Sequence, residues 1–142
     1  MEGTIIPIEE VSDPVFSSKS MGNGFAIIPI KGIVVAPFDG EVVMVFKTKH
    51  AIGLKDENGN QFLIHIGLDT VNLKGEGFKV HVMPNSIIKK GETLIEFDLD
   101  YLKEKGYSLE SCIILPDYQK EKFKLVKNGK VKLLESDIFI LK

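Results

Sequence analysis

The stretch that decides the fold is FKTKHAIGLKDENGNQFLIHIGLDTV, residues 46–71. It contains His50 and His65, two of the three histidines of the chain. Between them, Asn58-Gly59 is a strong hairpin signal, because both residue types tolerate the positive φ values of a type I′ turn. The stretch therefore predicts an antiparallel hairpin with one histidine on each side of its turn.

A turn centred on the Asn-Gly pair also predicts the register, in which Ile52 lies opposite His65. Side chains alternate between the two faces of a strand, and directly opposed residues share a face. His50, Ile52 and His65 are therefore predicted to project from one side, with Thr48 beside them. Because diagonal neighbours lie about 7 to 8 Å apart at Cα, the sequence predicts a site in which two imidazoles approach one small group.

The composition is that of a globular domain. The 142 residues are 44% hydrophobic and 27% charged, which favours neither disorder nor a fibrous class. A chain of this length can bury a core without a metal or disulfides. We predict one domain over residues 1–142 and no cofactor.

Charge and cysteine content exclude several classes of partner. The formal net charge is −2 and the lysines are dispersed, so we expect no nucleic-acid binding. The single Cys112, followed by apolar residues, predicts a buried thiol and fits a reducing compartment. Since no apolar run reaches about 18 residues, direct membrane insertion is not expected, and the predicted location is the cytoplasm.

Outside the hairpin, short strands alternate with turn signals. Asp13 before Pro14 predicts a short helix with Asp13 as its N-cap, and Asp98 predicts a second helix, Leu99–Lys105. Both faces of residues 42–46 are apolar, which predicts a strand covered on both sides. Further strands are predicted within residues 3–8, 25–30, 33–36, 78–82, 93–97, 111–115, 122–126, 131–134 and 138–141. Many short strands predict an all-β fold, an antiparallel β-sandwich or barrel with short helical turns.

Three functions suit a pair of histidines. Both can be structural residues with satisfied hydrogen bonds. Both can bind zinc, but a structural zinc site needs four ligands and the neighbouring sequence supplies no cysteine or third histidine. A complete intrachain metal site is therefore not expected, which leaves a half-site of His50 and His65 completed by a partner.

Phosphoryl carriage is the third function. His65 lies between Ile64 and Ile66, and desolvation lowers a histidine pKa, which keeps the imidazole neutral and nucleophilic. The second imidazole and the Thr48 hydroxyl are suitable donors to phosphoryl oxygens. The sequence has no Walker A motif, so ATP bound to this chain is not the expected phosphoryl donor.

The chain closely resembles the glucose-type EIIA phosphocarriers of the bacterial phosphoenolpyruvate:sugar phosphotransferase system. The matching segments are DPVFSSKSMGNGFAI (13–27), VVAPFDGEV (34–42), FKTKHAIGL (46–54), FLIHIGLDTVNLKGEGF (62–78) and KKGETLIEFDLDYL (89–102). The resemblance implies a β-sandwich and a phosphotransferase component of sugar uptake. Such a carrier accepts phosphate from the phosphohistidine of HPr and passes it to a cysteine of an EIIB domain.

The resemblance also implies roles for individual residues. His65 is expected to be phosphorylated on Nε2, and His50 to contact the phosphate. Thr48 and Asp69 match positions of the family's site motif, although Asp69 can also be explained as a turn cap. Lys49 departs from the asparagine that many members carry, which adds a surface charge.

An apolar partner-binding rim is expected around the histidines. Phe16 and Phe46 match rim residues of the family, and Leu63 replaces a phenylalanine there. Ile52 and Ile66 complete the predicted rim.

A regulatory binding module is a compatible second function. In this hypothesis the apolar face docks on permeases or kinases, and phosphorylation weakens the contact by adding negative charge. A lipoyl-like carrier is disfavoured, because no lysine lies between two methionines at a hairpin tip. His81 is assigned to neither function and is predicted to face solvent.

Overall fold

The computed structural model describes residues 1–116, 123–125, 129–131 and 139–141. The strands of this part of the chain are β1 Gly3–Pro7, β2 Asn23–Pro29, β3 Ile33–Val35, β4 Gly40–Val45, β5 Ala51–Asp56, β6 Gln61–His65, β7 Phe78–Val80, β8 Ile87–Ile88, β9 Thr93–Phe97, β10 Ser111–Leu115, β11 Phe123–Leu125, β12 Gly129–Val131 and β13 Phe139–Leu141. The helices are α1 Pro14–Ser17 and α2 Leu99–Glu104, with 3-10 helices at Ile8–Glu10 and Thr70–Leu73. Residues 122, 126, 132–134 and 138 of the strands predicted near the carboxyl end lie outside the described residues.

The strands form an antiparallel sandwich. The large sheet has the order β12-β1-β2-β10-β6-β5-β4-β8, a smaller sheet has the order β3-β9-β7, and β11 pairs with β13. Every strand pair in the described residues is antiparallel. The predicted fold class is therefore confirmed. The central hairpin, β5-β6, lies inside the large sheet between β4 and β10.

The main core lies between the large and the small sheet. Ile52, Leu54 and Ile64 face it from the hairpin, and Ile95 and Phe97 face it from β9. A second apolar cluster covers the opposite face of the large sheet, where Phe16 of α1 packs with Cys112 and Ile114 of β10. Because side chains alternate along β6, a strand between these two clusters can bury one set of residues and present the other on the α1 side.

Both helix caps are confirmed. The Asp13 carboxylate accepts a hydrogen bond from the Val15 amide at 3.0 Å, and the Asp98 carboxylate accepts one from the Tyr101 amide at 3.0 Å. The prediction that residues 42–46 are covered on both sides is wrong, because Val43 and Met44 are 40% and 45% exposed. A bulge between Val42 and Met44 breaks the register here.

The predicted turn and register of the central hairpin are also wrong. Gly59 has a φ of 85°, but Asn58 is not among the residues with positive φ. The Asp56 amide donates to the Asn60 carbonyl at 3.0 Å, and the Gly59 amide donates to the Asp56 carbonyl at 3.1 Å. The loop therefore contains three residues, 57–59, as in hairpins that combine a type I turn with a left-handed third residue.

One extra loop residue shifts the pairing by one position. Ala51, rather than Ile52, lies opposite His65, and Ile52 lies opposite Ile64. Ile52 consequently faces the main core, and it does not share a face with His65. The pairing that was expected to align the two histidines is absent from this hairpin.

Candidate functional site

The two imidazoles nevertheless meet, because His50 lies just outside the strand. It ends a tight turn in which the Lys49 amide donates to the Phe46 carbonyl at 2.8 Å and the Phe46 amide donates to the Ala51 carbonyl at 3.1 Å. Lys49 has a φ of 62°, so strand alternation does not govern the direction of His50. The ring centroids of His50 and His65 lie 4.8 Å apart, with an interplanar angle of 85°.

His65 is held in one tautomer by the main chain. Its Nδ1 lies 2.8 Å from the Gly67 carbonyl oxygen, and since a carbonyl can only accept, Nδ1 donates the proton and Nε2 carries the free lone pair. Burial lowers the pKa of His65, against the Gly67 hydrogen bond and the negative charges of Asp13 and Asp69. The ring is therefore neutral near pH 7, with Nε2 as its nucleophilic atom.

His50 is a buried neutral imidazole. It is 2% exposed, and burial, followed by repulsion from the positive charge that His65 carries when protonated, lowers its pKa from 6.5 to about 4. Its Nδ1 lies 2.7 Å from the Thr48 hydroxyl oxygen. When Thr48 donates to Nδ1, the proton of His50 resides on Nε2, which can then donate to an anionic oxygen beside His65.

Aromatic rings flank the histidine pair, but part of the predicted rim is wrong. The ring centroids of Phe16 and His65 lie 5.0 Å apart. The ring centroids of Phe46 and His50 lie 5.5 Å apart, in an edge-to-face arrangement. Leu63 is half-buried and packs at the edge of the second apolar cluster. Ile52 and Ile66 are both fully buried, so they cannot touch a partner, because both face the main core.

Two exposed valines next to the site were not found from the sequence. Val15 precedes Phe16 in α1 and is 50% exposed, and Val71, in the 3-10 helix after Asp69, is 47% exposed. Exposed apolar side chains beside a functional site are typical of a surface that contacts partners. Their positions within the matched segments 13–27 and 62–78 were the only signal that the sequence offered.

Asp69 lies in a left-handed conformation in the turn that follows His65. Asp69 has a φ of 60° and lies at the N-cap of the 3-10 helix, where, within the described part of the chain, its side chain makes no cap hydrogen bond. The turn-cap explanation is therefore wrong for its carboxylate. Its charge instead favours a proton on the nearby imidazole.

The remaining sequence predictions concern Cys112, His81 and metal binding. Cys112 is fully buried, and burial raises the pKa of its thiol to about 12, so the predicted core thiol is confirmed. His81 is exposed, with its Nε2 3.5 Å from a Glu96 carboxylate oxygen. Among residues 1–116 and the other described segments, no three histidine, cysteine or acidic side chains are grouped to hold a metal. The half-site of two histidines stays a prediction.

A β-sandwich that holds a neutral histidine pair beneath aromatic rings and beside exposed valines has the features of a carrier of phosphoryl groups. The family model described as "phosphoenolpyruvate-dependent sugar phosphotransferase system, EIIA 1" matches residues 1–121. The chain belongs to this family, and it is a phosphocarrier component of the phosphotransferase system.

Similar proteins and a solved structure support this family assignment. The glucose-specific EIIA component of Oceanobacillus iheyensis is 51% identical over 129 residues, which cover 91% of this chain and 77% of that protein. The glucosamine-specific EIICBA component of Bacillus subtilis is 46% identical over 127 residues, 89% of this chain and 20% of that longer protein. The solved structure of glucose permease IIA from Mycoplasma capricolum matches with a TM-score of 0.90 and 40% identity, and covers 99% of this chain and 91% of that one.

No helix in the part of the chain that the structure describes has the length and apolar character needed to cross a bilayer.

Proposed function

We propose that His65 accepts a phosphoryl group on Nε2 from phospho-HPr and passes it to a cysteine of an EIIB domain. The observation that carries this proposal is the hydrogen bond between His65 Nδ1 and the Gly67 carbonyl, at 2.8 Å. It occupies one nitrogen as a donor and leaves the other as the only nucleophilic atom of the ring. Membership in the EIIA family supports the same reaction.

The transfer consists of two displacements. In the first, the Nε2 lone pair of His65 attacks the phosphorus, a new N–P bond forms, and the N–P bond to the HPr histidine breaks with its electron pair returning to that ring. In the second, the thiolate of the EIIB cysteine attacks the phosphorus, and the His65 N–P bond breaks. Both steps proceed through a transition state whose charge is spread over three oxygens.

His50 and Thr48 are suited to stabilise that charge. The Thr48 hydroxyl, 2.7 Å from Nδ1 of His50, orients the ring so that Nε2–H points away from it. A neutral donor in a desolvated position stabilises a developing anion strongly, because no water competes for it. His50 therefore acts on the phosphoryl oxygens, and Thr48 acts through His50.

The apolar surround serves docking and protects the phosphohistidine from water. Phe16 and Phe46 cover the two rings, while the exposed Val15 and Val71 and the half-buried Leu63 offer contact area around them. Exclusion of water slows hydrolysis of a reactive intermediate. HPr and EIIB would bind to this one surface in turn, in the cytoplasm.

A reconstituted relay tests the proposal. The chain is incubated with phosphoenolpyruvate, the first phosphotransferase enzyme and HPr, and acid-labile phosphate is counted by mass. The wild type should gain one phosphate and His65→Ala none. His81→Ala removes an exposed imidazole and serves as the matched control, which should behave as the wild type. Phosphate on the His65→Ala variant would contradict the assignment.

His50 is tested in the second half of the relay. His50→Gln should still accept phosphate from HPr, because the nucleophile is intact, but should deliver it to EIIB poorly. The rate of phosphate loss after addition of an EIIB domain measures this step. Equal delivery by the variant and the wild type would remove His50 from the mechanism.

Regulatory binding is a second candidate, favoured by the exposure of Val15 and Val71 beside the site. A phosphohistidine adds about two negative charges in the middle of this apolar surface. Docking to a permease or a kinase should therefore be strong for the unphosphorylated protein and weak for the phosphorylated one. Capture of such a partner with equal strength in both states would contradict this role.

A further inference from the structure

We propose that Ser111 and Thr70 are positioning residues that hold the Gly67 carbonyl against His65 Nδ1 and so direct phosphorylation to Nε2. This inference rests on the phosphohistidine function proposed above. Neither residue touches the reacting atoms. Both act through the two peptide groups that flank Gly67.

The first of these peptide groups, between Ile66 and Gly67, is held at both ends by side-chain hydroxyls. The Thr70 hydroxyl donates to the Ile66 carbonyl oxygen. The Gly67 amide donates to the Ser111 hydroxyl oxygen at 3.1 Å. Since both hydroxyls belong to fully buried residues, bulk water cannot replace either contact.

The direction of the Ser111 contact is determined by a second hydrogen bond. The Ser111 hydroxyl donates to the Leu109 carbonyl oxygen at 2.9 Å. Having used its only proton there, it must accept from the Gly67 amide. Ser111 therefore connects the start of β10 to the residue whose carbonyl binds the nucleophilic histidine, 44 positions earlier in the chain.

The second peptide group, between Gly67 and Leu68, carries the carbonyl that contacts His65. Its amide end donates to the Ser108 carbonyl oxygen at 3.1 Å, and its carbonyl end accepts from His65 Nδ1 at 2.8 Å. Each peptide group is thus anchored at both ends, and together they hold Gly67 at a φ of 69°.

Glycine makes these anchors necessary. With no Cβ, it populates positive and negative φ about equally, so its own conformational preference does not orient the carbonyl. If the first peptide group loses an anchor, the carbonyl can turn away from His65. Nδ1 then loses its acceptor, and the proton can move to Nε2, which leaves the wrong nitrogen nucleophilic.

Hydroxyl deletions test this inference through the tautomer of His65, which a merely structural role would not change. Ser111→Ala and Thr70→Val each remove one anchor, and Thr70→Ser retains its hydroxyl. Ser86→Ala is the matched control, because its hydroxyl also accepts a main-chain amide, that of Met83 at 3.1 Å, in a loop remote in sequence from the site.

Two readouts are combined. Ring nitrogen chemical shifts of ¹⁵N-labelled protein at pH 7.5 report the tautomer before any phosphate is added. The bond position in phosphohistidine, read by NMR after phosphorylation by HPr, reports which nitrogen reacted. Wild type, Ser86→Ala and Thr70→Ser should show Nδ1–H and phosphate on Nε2. Ser111→Ala and Thr70→Val should show a mixed tautomer and phosphorylation that is slower by up to about a hundredfold, the loss that a 1 Å displacement of a catalytic group can produce.

The wild-type tautomer and rate in both deletion variants would overturn the inference. If Ser111→Ala fails to fold, the comparison of Thr70→Val with Thr70→Ser decides whether the inference holds, because these two variants differ by the hydroxyl at the same site. If the wild type takes no phosphate on His65, the proposed function fails. The tautomer of the unphosphorylated protein still decides whether the two hydroxyls orient the ring.

Discussion

Acidification from about pH 7.5 to about pH 5 should cost the protein about 2 kcal/mol of unfolding free energy through His50 alone. Burial, followed by repulsion from a protonated His65, lowers the pKa of His50 from 6.5 to about 4, so the folded protein keeps this ring neutral over the interval while the unfolded chain protonates it. The unfolded state binds more protons, and stability therefore falls as the pH falls from 6.5 towards 4. At about 1.4 kcal/mol for each pKa unit, the full contribution of about 3 kcal/mol is lost only below pH 4.

The assay compares urea unfolding of wild type and His50→Gln at several pH values in this interval. Glutamine does not titrate, so the free energy of unfolding of the variant should fall less steeply by about 2 kcal/mol. Working at pH 5 or above limits the contribution of carboxylates, which titrate mainly below that value.

Parallel curves for wild type and His50→Gln would refute the reasoning. Such a result would mean that the folded protein accepts a proton on His50 at no cost, by admitting water or moving the ring. The proposed role of His50 as a neutral hydrogen-bond donor to the phosphoryl oxygens would then be wrong as well. An intermediate difference, below about 1 kcal/mol, would place the folded pKa near 6.

Four further substitutions are predicted to change stability, each measured by urea unfolding. Ile52→Ala should cost about 2 to 5 kcal/mol, because the side chain is fully buried in the main core; a loss below 1 kcal/mol would mean that it is not. Gly59→Ala should cost only about 1 kcal/mol, since its φ is 85° but a Cβ would meet nothing within 4 Å. Gly67→Ala should lower the free energy of unfolding by more than Gly59→Ala does, since its Cβ would lie 2.6 Å from the Thr70 methyl. It should also abolish phosphate acceptance in the HPr relay, and a variant that still accepts phosphate would count against the role of the Gly67 carbonyl. Lys49→Gly should stabilise the fold by up to about 1 kcal/mol by relieving a φ of 62°, and destabilisation would show that the turn is not strained.

The sequence was sufficient to predict that His50 and His65 form a pair, but not how the two rings meet or which apolar residues around them are exposed. Alternating apolar residues and turn signals predicted the β-sandwich, and the family motif identified His50 and His65. The predicted register was wrong because Asn-Gly suits both a two-residue and a three-residue loop. The choice between the two loops depends on hydrogen bonds to the Asp56 carboxylate from the Asn58 and Asn60 amides. The approach of the rings depends on a left-handed Lys49, for which no local signal exists, since lysine rarely adopts that conformation.

The contacts that support the site could not be predicted from the sequence, for a different reason. Ser111 lies 44 residues from Gly67, and no periodicity connects two such positions. Their contact follows from the strand order that places β10 beside β6, where Cys112 pairs with His65. The two buried rim residues, Ile52 and Ile66, were misplaced because an apolar residue near a site can face either side of a sheet, and one step of register decides which.

The three-residue loop at 57–59 lies at the opposite end of the hairpin from the histidines. Residues 60–64 separate it from His65, a span of roughly 16 Å along the ribbon, and Gly59 has open space around it. A fluorophore or a short peptide tag could be inserted there without disturbing the phosphate site. The chain thus offers its own attachment point from which the arrival and departure of each partner could be followed in real time.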